Sequence, residues 1–361
     1  MQAGIISYGT YIPKHRIDVQ EIFRVWRNVT PEIFDKMSLR ERAVLLPDED
    51  TLTLGVAAAR QALERSGLER SQIGAVIFGS GTNPYATKAA ATIVQDALGL
   101  PNEIISYDLQ FAGKSGSSAI IAAAALVESG FVDYALAIGS DTINRHTAPG
   151  TQMEYRASAG AFAAIIGKKN IIAQLEGFSS YASDLSDYFR LEGERYIQLG
   201  GGWIGFVSNW GFLEHVKPAA EILFKKLKLD PKKDFNAVAV HQANGILPMM
   251  AAGTLGLDMF GVMQNVLTAY IGDCGAASAL VPLAHILDNA GPDERVLVIA
   301  YGSGAGSDCL SFKTTAVIDQ KRPVKGRVMD QIEDKIMVDY ALASKYEYKY
   351  IRSPYMLTNY L

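Results

Sequence analysis

Apolar positions spaced three and four apart run through TLTLGVAAARQALERSGL (51–68), predicting an amphipathic helix that stops at a glycine. A short polar loop and an unbroken apolar run, ERSQIGAVIFGSG, follow it and read as a buried strand. The programme recurs later. GFLEHVKPAAEILFKKLKL (211–229) predicts a second helix, and DPKKDFNAVAVHQA gives the loop and strand after it. VDYALAIGSDT (132–142) and ERVLVIAYGSGAGSD (294–308) form another matched pair, each a buried strand emptying into a small-residue loop. Two pairs in the same order point to an α/β chain made by duplicating one unit.

One predicted helix breaks the amphipathic rule. SSAIIAAAALVESG, which begins at Ser117, offers almost nothing to water and reads as buried all round. FAGKSG leads into it, placing Gly113 beside a helix start rich in free N–H groups. Such a place suits an anion or a thiolate, yet Gly113 has no side chain. Ser115, Ser117 and Ser118 are expected to cap the first turn by accepting its N–H groups. Glycine at 113 is expected to relieve backbone strain.

Two segments depart from the alternation. Residues 178–210 are rich in Ser, Asp, aromatics and Gly, and read as an excursion covering a site. In the tail, KYEYKYI alternates charge and ring, which predicts an extended strand with Tyr346, Tyr348 and Tyr350 on one face. Six of the 17 tyrosines lie after residue 320, so a partner-facing role is expected of this tail. The organisation is thus 1–177, an excursion at 178–210, 211–317, and a tyrosine-rich tail at 318–361.

Composition narrows the chemistry. A net charge of -4 with 20% charged residues gives no basic excess for nucleic acid, and no apolar run is long enough for a membrane span. The strand-like MQAGIISYGTYIP lacks a signal-peptide pattern, so a cytoplasmic location is expected. Two cysteines, Cys274 and Cys309, supply neither a disulfide framework nor a zinc site, and both are expected to be buried packing residues. No metal is expected. GSGAGS (302–307) follows a strand but precedes another strand, so it lacks the helix of a dinucleotide site.

GIISYGTYIPKHRI, GSGTNPYATKAAATIV, DLQFAGKSG, VAVHQANG and YIGDCGAASAL together resemble the thiolase superfamily, of the archaeal 3-hydroxy-3-methylglutaryl-CoA synthase type. The likeness runs collinearly over residues 3–315. FAGKSG, IGSDTINRHTAPG and the tail look closer still to the synthase-like subunit of bacterial monoacetylphloroglucinol acetyltransferase complexes. The resemblance implies a five-layered αβαβα thiolase fold of two pseudo-symmetric halves, within a homodimer. It also implies a cysteine that takes the acyl group from coenzyme A, a glutamate base, and a His and Asn that hold thioester oxygens.

This chain departs from that pattern at three positions. Gly113 stands at the cysteine, Gly81 at the glutamate, and Asp273 at the asparagine of the late Gly-Asn motif, while His241 remains. The expectation is a vestigial site in a non-catalytic subunit of a multi-component C-acylating complex. Its partners would be a thiolase-like catalytic subunit and a small zinc-ribbon, OB-type bridging protein. The alternative is an active condensing enzyme of the hydroxymethylglutaryl-CoA synthase or ketoacyl synthase III type with altered residues. Lys114, Ser115, Asn244 and Gly304 are candidates for lining a coenzyme A thioester pocket, with Arg145 and Arg156 as further phosphate contacts. No covalently bound cofactor is expected. A carboxylate neighbour, Asp273, is expected to raise the Cys274 pKa and blunt it.

Overall fold

The computed structural model describes residues 2–200 and 209–350. Nine strands form one sheet: β1 (Gly4–Tyr11), β2 (Ile73–Gly79), β3 (Ile105–Leu109), β4 (Tyr134–Thr142), β5 (Ala159–Gly167), β6 (Ala173–Ala182), β7 (Ala237–Val240), β8 (Arg295–Tyr301) and β9 (Gly306–Thr314). Their spatial order is β7-β8-β9-β6-β1-β5-β4-β2-β3. The sequence-derived strands fall at these places. GSGAGS turns the β8–β9 hairpin, as the strand after it required.

The strand order carries the duplication. In the first half β2 runs parallel to β4, β4 antiparallel to β5, and β5 antiparallel to β1. In the second half β7 runs parallel to β8, β8 antiparallel to β9, and β9 antiparallel to β6. The two half-sheets meet through a short β1–β6 pairing, Gly4 with Gln174 and Ile5 with Ala173.

Alternate residues of each strand face different layers, as the pleat demands. Ala75 and Ile77 of β2, and Val296, Val298 and Ala300 of β8, share one core. The same core holds α2 (Ser115–Glu128) and α5 (Leu280–Leu287). Val76 and Phe78 face a second core with α1 (Thr51–Ser66). Leu297 and Ile299 face a third with α3 (Asn209–Leu227) and α4 (Ile246–Leu255). The layers therefore run helix, sheet, helix, sheet, helix. The largely apolar α2 sits in the middle layer, which explains why it carries so little polar face.

Local chemistry fixes the ends. Asp50 caps α1 in a capping box with Thr53, and Gly67 closes it in the left-handed region. No described helix is long and apolar enough to cross a membrane.

The tail corrects an expectation. KYEYKYI is no strand: α6 (Tyr340–Tyr346) ends there and Tyr348 takes a φ of 56°. The alternation is real but inverted. Glu347 is buried against Arg42 at 2.6 Å, and Lys349 is buried on the carbonyls of Asn144 and Thr147. Tyr348 and Tyr350 are left 44% and 55% exposed, and Tyr346 packs edge-on against His15. Arg42 and the carbonyls of Asn144 and Thr147, all elsewhere in the chain, set which residues turn inward. Residues 351–361 of the tail and 201–208 of the excursion lie outside the described residues.

Candidate functional site

Gly113 lies in a single tight turn, Ala112–Lys114, that opens directly into α2. The positive φ, 45°, belongs to Ala112, so relief of strain is not what glycine provides at 113. Space is. A Cβ there would stand 2.6 Å from His241 Cε1 and 2.6 Å from the Tyr301 carbonyl oxygen. The imidazole occupies the space that a side chain at 113 would need.

His241 follows the last residue of β7 and is buried. Among the described residues its Nδ1 has no hydrogen-bond partner, and Nε2 lies 3.9 Å from Asp273 Oδ1. Burial lowers its pKa from the ordinary histidine value, with Asp273 opposing and Arg156 reinforcing the shift. The ring is therefore neutral near pH 7, with one nitrogen free to take a proton.

Asp273 is held by Arg156 at 3.1 Å and by the Gly275 N–H at 3.0 Å. A carboxylate between two cations or donors in the interior is an anchor for its neighbours. Arg156 Nη2 has no partner among the described residues, so this guanidinium still has a donor to give. Cys274 is buried with its pKa raised, chiefly by burial and secondly by Asp273, which leaves it a packing thiol.

Gly81 tops the first half-sheet beside Ala112, whose Cα would lie 3.1 Å from an added Cβ. Its N–H binds Asp141 at 2.9 Å. Asp141 also accepts from Ser80, Thr82 and the Ala276 N–H. Burial raises its pKa to about 6, and those four donors offset part of the rise. It thereby ties the β2 and β4 strand ends to the loop after Cys274.

The remaining candidates separate by place. Lys114 is buried and paired with Asp308 at 2.7 Å, over the Phe111 ring. Ser117 and Ser118 give their hydroxyls to the same Asp308, and Ser115 gives its own to the Ala112 carbonyl. The serines donate; they do not cap. Asp308, a buried carboxylate from the β9 hairpin, needs those donors more than the helix does. Asn244 accepts the N–H groups of Ile246 and Leu247 and so opens α4. Gly304 has a φ of 100°, and its carbonyl binds the Leu185 N–H at 2.8 Å, bringing the excursion down on the β8–β9 hairpin. Arg145 stacks on the Tyr348 ring.

Two residues carry geometry that the sequence pattern did not flag. Tyr301 ends β8, binds Asp187 at 2.6 Å, and meets the His241 ring edge-on. Tyr188, from the excursion, has its pKa raised by burial and then by the negative charges of Asp273 and Asp141. Only the aromatic richness of the excursion hinted at this residue. A cavity of about 350 Å³ opens here, lined by Phe111, Ala112, Tyr188 and Ser303 among others. A second, of about 660 Å³, reaches Gly81, past Tyr85, Asp108 and Arg190. Both are lined in part by Gln110.

Comparison with known proteins places this arrangement. Residues 40–166 match the thiolase N-terminal domain. Hydroxymethylglutaryl-CoA synthase of Pyrobaculum arsenaticum is 40% identical over 343 residues, 94% of this chain and 96% of that protein. The Methanothermobacter thermautotrophicus protein of the same name is 41% identical over 347 residues, 96% and 99% of the two chains. Among solved structures, MvaS in complex with 3-hydroxy-3-methylglutaryl coenzyme A superposes with a TM-score of 0.84 at 21% identity, over 97% of this chain and 92% of that one. An HMG-CoA synthase complexed with CoA gives 0.86 at 18%, over 98% and 92%. The fold is the five-layered thiolase fold.

These relatives overturn the expectation of a non-catalytic subunit of an acyltransferase complex. Full-length relatives at about this identity are named as synthases. The physical error was one of weight. Loss of one thiol removes one way of holding an acyl group, whereas a neutral buried imidazole with a free nitrogen remains.

Proposed function

Because the chain belongs to the hydroxymethylglutaryl-CoA synthase family of the thiolase superfamily, we propose that it is a condensing enzyme for acyl-CoA thioesters, with His241 as the group that moves the proton. The product of such a synthase tells what must happen. In 3-hydroxy-3-methylglutaryl coenzyme A the carbon bearing the hydroxyl is tertiary, so it was a ketone that received a carbanion. Disconnecting there gives a two-carbon acyl thioester and a 3-oxobutanoyl thioester.

The step then balances as follows. The α C–H bond of the two-carbon thioester breaks, its proton passes to an imidazole nitrogen, and the carbanion adds to the ketone carbon. The alkoxide so formed takes the proton back from the imidazolium. Water then hydrolyses the thioester of the two-carbon unit, its C–S bond breaking to leave a carboxylate and release free coenzyme A. One thioester thus remains in the six-carbon product. A base of depressed pKa is unprotonated at neutral pH, which such a cycle requires. The Arg156 donor left without a partner supplies positive charge beside the site, where negative charge develops. Coenzyme A is the proposed ligand, and it enters as part of the substrate.

The observation that carries this reading is the buried, unpartnered Nδ1 of His241 against the entry of α2. The test is a mass-resolved assay of the pure chain with acetyl-CoA and acetoacetyl-CoA. A six-carbon product is expected, lost in His241→Gln. Absence of any condensed product over a panel of short acyl donors would overturn it.

A further inference from the structure

Gly113 leaves the site without a nucleophile of its own, and the structure holds one elsewhere. Ser183 follows the last residue of β6 and is exposed. Its Oγ lies 2.8 Å from Nε2 of His215, which projects from α3 and is fully buried. The other ring nitrogen, Nδ1, lies 2.7 Å from the Gly211 carbonyl oxygen, one turn earlier in the same helix.

A backbone carbonyl can only accept. Nδ1 therefore carries the proton, and in the neutral ring Nε2 is the acceptor. The serine hydroxyl must donate to it. Nucleophile, base and a third group orienting the base stand in line at hydrogen-bond distance, which is the arrangement that activates a hydroxyl. Tyr181 and Tyr301 close around the imidazole, with ring centroids 6.0 and 5.9 Å away, and hold its plane.

The position also fits the site. Tyr301 stands between the two imidazoles, 5.9 Å from His215 and 6.0 Å from His241. Asp184, Leu185 and Ser186, the residues after Ser183, line the cavity of about 350 Å³ that also reaches Ala112.

We propose that Ser183, activated by His215, is an acyl-accepting nucleophile for thioesters. Ser183 Oγ attacks the thioester carbonyl carbon while its proton passes to His215 Nε2. The C–S bond then breaks, and the departing thiolate takes that proton from the imidazolium. An acyl-serine and a free thiol result. The choice of a thioester rests on the proposed function above; the activation of Ser183 does not.

The experiment uses the full-length chain and a fluorophosphonate probe, which reports an activated serine whatever its natural substrate. Peptide mapping by mass spectrometry is expected to find the adduct on Ser183, with none in Ser183→Ala. His215→Gln is expected to slow labelling at least about 100-fold, the lower range for general-base help. Since His215 is buried, Ser183→Ala, at an exposed position, serves as the variant whose folding is secure. An unlabelled Ser183, or equal rates with and without His215, overturns the proposal. Labelling of Ser183 in a chain that condenses no thioester upholds this proposal and overturns the condensing reading alone.

Discussion

Two imidazoles flank the ring of Tyr301, and the fold treats them differently. His215 has both nitrogens engaged, one by a carbonyl of its own helix and one by Ser183. His241 has an Nδ1 without a partner among the described residues and, 3.9 Å from Nε2, a carboxylate already held by Arg156. Both rings are buried. An unsatisfied buried polar atom costs roughly 1–3 kcal/mol, so the fold tolerates at His241 what it avoids at His215. A deficit of this kind leaves a hydrogen-bonding position open to a water or a ligand. The contrast separates a ring with a nitrogen open to a ligand from a ring already paired with a serine hydroxyl.

The sharpest way to break the contrast is His241→Gln, which keeps size and polarity and removes the base. Turnover in the condensation assay is expected to fall by about 10²–10⁴-fold, with folding retained by circular dichroism. Loss confined to KM would put His241 in binding alone.

Asp273→Asn is next. It strips the charge opposite Arg156, and a buried ion pair broken on one side costs about 3–5 kcal/mol. Urea unfolding should show that loss, while the Ser183–His215 pair, which does not touch Asp273, keeps its labelling rate. Equal damage at both imidazoles would mean they form one unit.

Gly113→Ala puts a methyl 2.6 Å from the His241 ring and from the Tyr301 carbonyl. Overpacking of this kind costs about 1–3 kcal/mol. The expected signature is a lower melting temperature with a displaced His241. A variant as stable as the parent would show that the ring yields freely.

The smallest effect is in pH. The folded pKa of His241 is depressed below its ordinary 6.5, so on acidification the unfolded chain takes the proton first. The stability it contributes is whole above that ordinary value and is lost as pH falls toward the folded one. His146, whose pKa burial lowers to about 4, acts in the same direction, whereas Asp141, raised to about 6, acts in the opposite one. Comparing parent with His241→Gln cancels those shared contributions. The parent should lose stability relative to the variant by at most about 1.4 kcal/mol per pH unit below 6.5. A constant difference would contradict the depressed pKa.

Much of this was legible in the residues. The apolar run of α2, the glycine after α1 and the matched strand pairs each report a local constraint, and each stands where the pattern placed it. The structure brings Gly81 and His241 to the turn that holds Gly113, with Asp273 beside the imidazole. Long-range partners were not legible. Asp308 claims Lys114, Ser117 and Ser118 across about 190 positions of chain, and no local pattern announces that. The tail failed for the same reason. Period two predicted a strand, yet Arg42, 305 residues away, pulls Glu347 inward and sets which face is buried. The Ser183–His215 pair spans a strand end and a helix separated by the excursion, and neither residue stands out where it occurs.

The central claim is that His241 takes a proton from the carbon next to a thioester. Incubating the pure chain with acetyl-CoA in heavy water, and following deuterium at the acetyl methyl by mass spectrometry, tests it without waiting for any condensation. The account predicts that the parent washes deuterium in and that His241→Gln does not. Equal incorporation by both proteins, or none by either, would contradict it.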